Sequence, residues 1–202
     1  MADSIDPVFQ QQFRGAKLPL KPMHIWGIRA RLQVECRWRD LALLDVAIDS
    51  KLRGCDLVAL RMSDILVGAA VTRRGIIVQQ KTGRPVQFEI TDQARQSVAR
   101  WLGQRRAGPP DWLFPSRMNR ERHLSARQYA RLVKHWVKLI ELEPSAYATH
   151  SLRRTKVSLL YRKTGNLRAC QLLLGHTKLE STVRYLGVEL DDALEMSAAL
   201  EI

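Results

Sequence analysis

The chain has 202 residues, 46% of them apolar, which suffices for one well-buried domain or a domain with an extra arm. Its 33 Lys/Arg against 20 Asp/Glu give a formal charge of +13, the balance of a protein with a polyanionic partner such as nucleic acid. No run approaches 18 apolar residues and the start "MADSIDPVFQ" lacks the basic-then-apolar form of a secretory signal, which excludes a spanning helix here and sets the expectation of a soluble cytoplasmic protein with no membrane partner.

The charge is segregated. Between Val71 and Ile140 there are 15 Lys/Arg against 4 Asp/Glu, whereas Leu186 to Ile202 holds five acids and no base. One basic surface and one acidic tail follow. Cys36, Cys55 and Cys170 are far apart and in no metal-ligand spacing, so they are expected to be buried thiols.

In chain order, residues 1–23, with Pro7, Pro19 and Pro22, read as an N-terminal lead-in, partly flexible. Helical periodicity over His24 to Asp49 predicts two helices, and "SKLRGCDLVALRMSDI" adds a short one with Leu57, Val58 and Leu60 inward. The stretch "ILVGAAVTRRGIIVQQKTGRPVQFEIT" changes to β-branched runs punctuated by "RRG" and "KTGRP", which predicts a three-stranded antiparallel meander with two tight turns. Thr91 is the expected cap of the helix "DQARQSVARWLGQRR", and Ser125 of "ARQYARLVKHWVKLIEL", which Pro144 stops. Helical patterns then cover His150–Lys163, Asn166–Leu174, Leu179–Leu186 and Glu189–Leu200. The fold class is mainly α with one small β-sheet (α+β), organised as a lead-in, a domain over 24–187 and an acidic C-terminal helix over 188–202.

Two stretches carry chemistry. In "THSLRRTKVSLLYRK", His150 and Arg153 share a helix face and offer paired donors to an oxyanion such as phosphate. In "LLLGHTKLESTVRYLG", His176 and Tyr185 are nine residues apart; an unbroken helix would hold them on opposite sides, roughly 13 Å apart along the axis. Gly175 supplies a break, with Thr177 or Ser181 as the cap of a new helix, so that both reach one place. Tyr161 lies roughly 16 Å along the helix from His150, out of reach of the same phosphate. Tyr129 and Tyr147 stay possible but have no comparable acid/base neighbour, which leaves Tyr185 as the best nucleophile candidate.

The ordered set "LRGCDLVALRMSDI", "QQKTGRP", "HSLRR" and "LLLGHTKLESTVRY" resembles the tyrosine recombinase (phage integrase) family, over residues about 24 to 190. The resemblance implies the catalytic-domain fold of that family and a site-specific recombinase that cuts and rejoins DNA through a 3′-phosphotyrosine intermediate, without metal, ATP or other cofactor. By position it assigns Arg53 and Arg153 to clamping the scissile phosphate, His150 and His176 to supporting hydrogen bonds and proton handling, Lys81 to protonating the leaving 5′ oxygen, and Tyr185 to nucleophilic attack. Asp56 stands where the family more often has glutamate and fits a buttress orienting Arg53. Fixed cations around an in-line phosphoryl displacement can lower its barrier by several kcal/mol, and two arginines here take the place of a metal. A tyrosine with a pKa of about 10 needs a nearby proton acceptor or a strong positive field, and the histidines and arginines supply both.

Arg73, Arg74, Arg117, Arg120, Arg122 and Arg127 are expected on flanking phosphates, which give affinity without sequence preference. The helix with Arg127, Arg131, Lys134 and Lys138 is the candidate for the major groove. Arg53 comes so early that the family's N-terminal clamp domain is expected to be missing; the chain resembles the small single-domain recombinases, gripping DNA by one face with the help of oligomerisation or a partner, or else is a truncated version. The resemblance implies double-stranded DNA as partner, a homo-oligomer on it (a tetramer in the synapse), an accessory DNA-bending protein, a nucleoid location and an acidic C-terminal helix that docks on a neighbouring subunit or packs in cis. The alternative is a catalytically silent or accessory DNA-binding regulator with the same fold.

Overall fold

The computed structural model describes residues 17–105 and 111–186. In chain order it forms α1 (Pro22–Val34), α2 (Trp38–Ser50), α3 (Gly54–Val58), a 3-10 turn (Met62–Asp64), β1 (Leu66–Val67), β2 (Ala70–Val71), β3 (Arg74–Val78), β4 (Pro85–Glu89), α4 (Asp92–Gln104), α5 (Ala126–Lys138), α6 (Thr149–Thr164), α7 (Leu167–Leu174) and α8 (Leu179–Leu186). It is a mostly helical α+β fold, and none of the described helices is long and apolar enough to cross a membrane. The C-terminal segment expected as a helix over 188–202 lies outside the described residues.

Every residue of α2 is buried, its charged ones included, so each buried charge needs a partner. Its charged residues are each partnered: Asp45 with Arg29 at 2.7 Å, Asp40 with Arg37 at 2.6 Å, and Asp49 with Lys156 at 2.8 Å. Asp49 also accepts from Thr91 N (2.8 Å) and Oγ1 (2.6 Å), which pins the end of α2 to the start of α4. At the opposite end Arg100 stacks on Trp38, 3.6 Å from the ring centroid, so α2 and α4 run antiparallel. Thr91 caps α4 and Ser125 caps α5 as expected, each accepting from the amide three residues on.

Three sequence readings are corrected: the meander, the end of α5 and the burial of the cysteines. The meander is two separate hairpins, β1–β2 and β3–β4, with Val67 opposite Ala70 and Val78 opposite Pro85. Thr72 N and Oγ1 both donate to Ile65 O and Oγ1 also reaches Arg74 O, which closes the first hairpin before β3 can join it. The first turn is therefore at Gly68, with φ +60, and "RRG" is the entry to a strand. The helix from Ser125 ends at Lys138, well before Pro144: Glu141 goes left-handed (φ 61) and Leu142 N bonds back to Val137 O at 3.1 Å. Part of the lead-in is tied down, since Leu18 N bonds Ala146 O (3.0 Å), Leu20 N bonds Thr155 Oγ1 (2.9 Å) and α1 already begins at Pro22. Of the cysteines only Cys170 is buried; Cys36 is exposed in the tight α1–α2 turn, at φ 52, and Cys55 is half-buried.

Two apolar clusters result. The main one joins α1 to α5, both hairpins and the first turns of α6. A satellite of Val157, Cys170, Leu174 and Leu186 gathers the rest of α6 with α7 and α8.

Candidate active site

The end of α2 dictates where the first cation sits. Lys51 turns left-handed (φ 56), and two residues later Arg53 takes the extended conformation that precedes α3. Its guanidinium donates to Gln79 Oε1, which also accepts from Thr82 Oγ1 at 3.0 Å. Lys81 is exposed on the same β3–β4 turn, which Gly83 (φ 63) makes possible and Gly83 N→Gln79 O closes at 2.8 Å. Asp56 is buried, and its Oδ1 accepts from Gln80 N at 2.9 Å. Asp56 thereby anchors the turn that carries Lys81, while the Arg53 guanidinium is held by Gln79 of the same turn.

On α6, Arg153 is only 4% exposed. Nη2 donates to Leu174 O at 2.8 Å, while Nε and Nη1 are buried with no hydrogen-bond partner. His150 stands one turn earlier with much of its surface open; partial burial of its ring lowers its pKa, and Arg153, Arg154, Arg53 and Lys81 lower it further.

The break at Gly175 is real. Its φ of 64 ends α7, His176 N returns to Gln171 O at 3.1 Å, and α8 starts at Leu179, so neither Thr177 nor Ser181 is the cap. The turn folds His176 back on Tyr185, with ring centroids 5.5 Å apart and planes at 85°. His176 Nδ1 lies 3.1 Å from Thr182 Oγ1, and its pKa falls to about 4 through burial, then Arg153 and Arg53. The Tyr185 hydroxyl is buried beside the Arg153 guanidinium. Burial pushes it up to about 12, against the opposing pull of Arg153, Arg154 and Arg53. The Arg153 guanidinium carbon is 5.9 Å from the Tyr185 ring centroid.

Arg53, Lys81, His150, Arg153, His176 and Tyr185 thus share one electrostatic neighbourhood. Arg73 and Arg74 are exposed at the start of β3, and Arg127, Arg131, Lys134 and Lys138 are exposed on the side of α5 away from buried Tyr129, Leu132, Val133, Trp136 and Val137. Sequence reasoning missed three supports. Gln79, 1% exposed, binds Arg53 and lies against Gly175. Gln171 shapes the His176 turn through Nε2→Thr177 O at 3.2 Å. Arg154, 4.9 Å from the Tyr185 ring centroid, bonds Lys17 O at 3.0 Å and Tyr185 O. Only Arg154 left a sequence signal, the second arginine of "HSLRR". The donor set is cationic and suits an anion with several oxygens.

The sequence profile of the phage integrase family matches residues 30–190. The tyrosine recombinase XerC of Erythrobacter litoralis is 30% identical over 153 residues, 75% of this chain and 47% of that protein. The tyrosine recombinase XerD of Bradyrhizobium diazoefficiens is 30% identical over 155 residues, 72% and 47% of the two chains. The chain spans about half the length of these relatives. Among solved structures, the fold is similar to XerA recombinase (TM-score 0.74, 19% identity, 90% of this chain and 64% of that one). It is also similar to XerH recombinase in a post-cleavage complex with its difH substrate (TM-score 0.70, 19% identity, 90% and 53%).

Proposed function

Because the chain belongs to the phage integrase family, we propose that it breaks and rejoins duplex DNA at specific sites through a covalent bond between Tyr185 and a 3′ phosphate. The observation that carries this reading is the buried cluster around Tyr185: its hydroxyl lies beside the Arg153 guanidinium, whose Nε and Nη1 are buried, and no other hydrogen-bond partner reaches these atoms among several cations. Leaving such groups unpaired costs about 1–3 kcal/mol each, so the site is built for an anion that comes from outside.

In the proposed step Tyr185 Oη attacks phosphorus in line, the bond from phosphorus to the 5′ oxygen breaks, and Lys81 gives that oxygen its proton. The tyrosine proton passes to a histidine. Both histidines are held low by burial and, after it, by the cations around them, and the phosphate's negative charge offsets those cations and raises their basicity. Arg53 and Arg153 neutralise the charge that grows on the equatorial oxygens. The phosphotyrosine bond conserves the energy of the one it replaced, so attack by a 5′ hydroxyl reseals the strand without ATP. On this reading residues 24–187 are the catalytic domain, Asp56 and Gln79 position it, and Arg73, Arg74, Arg127, Arg131 and Lys134 hold flanking DNA. A homo-oligomer, a tetramer in the synapse, works with an accessory DNA-bending protein at the nucleoid in the cytoplasm.

The test is covalent capture: wild type and Tyr185→Phe are incubated with fragmented genomic DNA, denatured, and protein-linked ends sequenced. Wild-type adducts at a few positions, absent from the variant, are the expected result. Absence of adducts from both proteins, with equal DNA binding, overturns the enzyme reading in favour of a DNA-binding regulator.

A further inference from the structure

Between α4 and α5 the loop Pro115–His123 is exposed from Arg117 to Arg122 and is held at its ends by buried Phe114, Pro115 and Leu124. It is closed by a bridge between Pro115 and His123 and by Ser116 N→Arg122 O at 2.8 Å. Inside it Ser116 Oγ accepts from Met118 N (3.2 Å), and Asn119 Oδ1 accepts from Glu121 N (2.9 Å). Trp112 anchors it: the indole donates to Glu121 O at 3.0 Å, Arg61 stacks 4.5 Å from the ring centroid, and His123 meets it edge-on at 5.1 Å. A loop bonded to itself in this way has settled its conformational entropy before any partner arrives.

What this rigid frame presents is unusual. Met118 is 96% exposed, more than any other large apolar side chain described, and Arg117, Arg120 and Arg122 around it are exposed as well. The cations make themselves felt at a distance: burial lowers Arg39 and Arg105, and Arg117 and Arg120 respectively lower them further. The loop leads through buried Leu124 into Ser125 and the exposed Arg127 and Arg131 of α5.

We propose that this loop is a DNA-reading element in which Arg117, Arg120 and Arg122 clamp phosphates while Met118 inserts as an apolar wedge at a base step. The inference rests on the DNA-acting reading above and adds a source of sequence preference to it. Three arginines against one glutamate select a polyanion. An unbranched thioether fits the irregular gap of a partly unstacked step, and such wedges kink the duplex. Steps that unstack at least cost, TA and CA/TG, are then favoured through deformability, with no hydrogen bond to a base.

The experiment uses the full chain with two 30-bp duplexes of matched composition, one with a central TA step flanked by 2-aminopurine, the other without that step. The expected result is a rise in 2-aminopurine fluorescence with wild type and its loss with Met118→Ala. The same variant binds the TA duplex about 10-fold more weakly, with its salt slope and melting temperature unchanged, and Met118→Leu restores both signals. Replacing Arg117, Arg120 and Arg122 together by Gln reduces the log–log salt slope by about 2.7. Equal fluorescence and affinity for wild type and Met118→Ala overturn the wedge while leaving the proposed function intact. Absence of salt-dependent binding by wild type overturns both.

Discussion

The two apolar clusters carry different halves of the proposed chemistry. Arg53, between Leu52 and Leu57 of the main core, and the Lys81 turn that it contacts through Gln79 lie on the main core's side, where α2 is buried on every face. His176 and Tyr185 belong to the satellite, whose fully buried apolar residues are Val157, Cys170, Leu174 and Leu186. The halves meet through few bonds: Arg153 to Leu174 O, Arg154 to Tyr185 O, and Gly175 packed on Gln79 and Val86. The cation cradle is therefore set by a large core, and the placement of the nucleophile by a small one. Segments with little buried apolar area open at lower free energy than a domain core, so the satellite is expected to open first.

The two halves differ most in what they ask of Arg153. Arg53→Ala and Arg153→Ala are both expected to lower adduct formation by about 10³-fold, since each removes a fixed donor from the developing charge. They should differ in hydrogen exchange. Loss of Arg153 also frees Leu174 O and speeds exchange in α7 and α8, whereas loss of Arg53 leaves those amides as they were. Equal exchange in the two variants would mean that Arg153 does not hold the lobes together.

A smaller break comes at Gly175. Its φ of 64 disfavours any side chain, and an added Cβ would lie 2.9 Å from Val86 Cγ2, on the main core's β4. Gly175→Ala is expected to cost about 1–2 kcal/mol in a denaturant melt, because both the left-handed backbone and the close approach resist it. Adduct formation should fall with it by roughly 10-fold, since His176 is the next residue.

The sequence made much of this legible because the local signals were strong. Thr91 and Ser125 cap their helices, Gly175 breaks where glycine should, and the spacing of His176 and Tyr185 demanded a turn. What stayed hidden depends on tertiary partners. No spacing rule reveals that Asp56 will hold the Gln80 amide, that Gln79 will bind Arg53, or that Arg154 will tie Lys17 to Tyr185. The two-hairpin arrangement was hidden for the same reason: Thr72 spends its amide and hydroxyl on Ile65 O, a choice invisible in β-branched composition. The early end of α5 rests on a left-handed glutamate, which sequence rules do not favour.

Acid sharpens the contrast between the lobes. His176 titrates at about 4 in the fold against about 6.5 when unfolded, so between those values the unfolded chain binds more protons. Its share of stability is present above pH 6.5 and is lost as pH falls toward 4. Hydrogen exchange at pH 5 should rise in α7 and α8 before α2 and α4, and His176→Asn should reduce that difference. Simultaneous loss of protection in both lobes would argue against separate stabilities.

The smallest expected effect lies wholly on the other side. Lys51 is left-handed at φ 56, 2% exposed, and its Nζ is buried without a hydrogen-bond partner. Burial lowers its pKa to about 8, with Lys156 lowering it further and Glu89 and Asp49 pulling it back up. A lysine held below its unfolded value destabilises the fold while protonated, and the penalty disappears as pH rises from about 8 to about 10.4. Lys51→Gly removes the charge and relaxes the backbone but leaves the volume of a buried side chain to be filled, for a net gain of about 1 kcal/mol at pH 7. In a chain of this length that is a rise of about 2–4 °C in melting temperature, and it should shrink as the pH is raised. Glycine keeps the same turn into Arg53, so adduct formation and exchange in α7 and α8 should not change. A gain in stability that also slowed cleavage would show that the main core, and not the satellite, limits the placement of Tyr185.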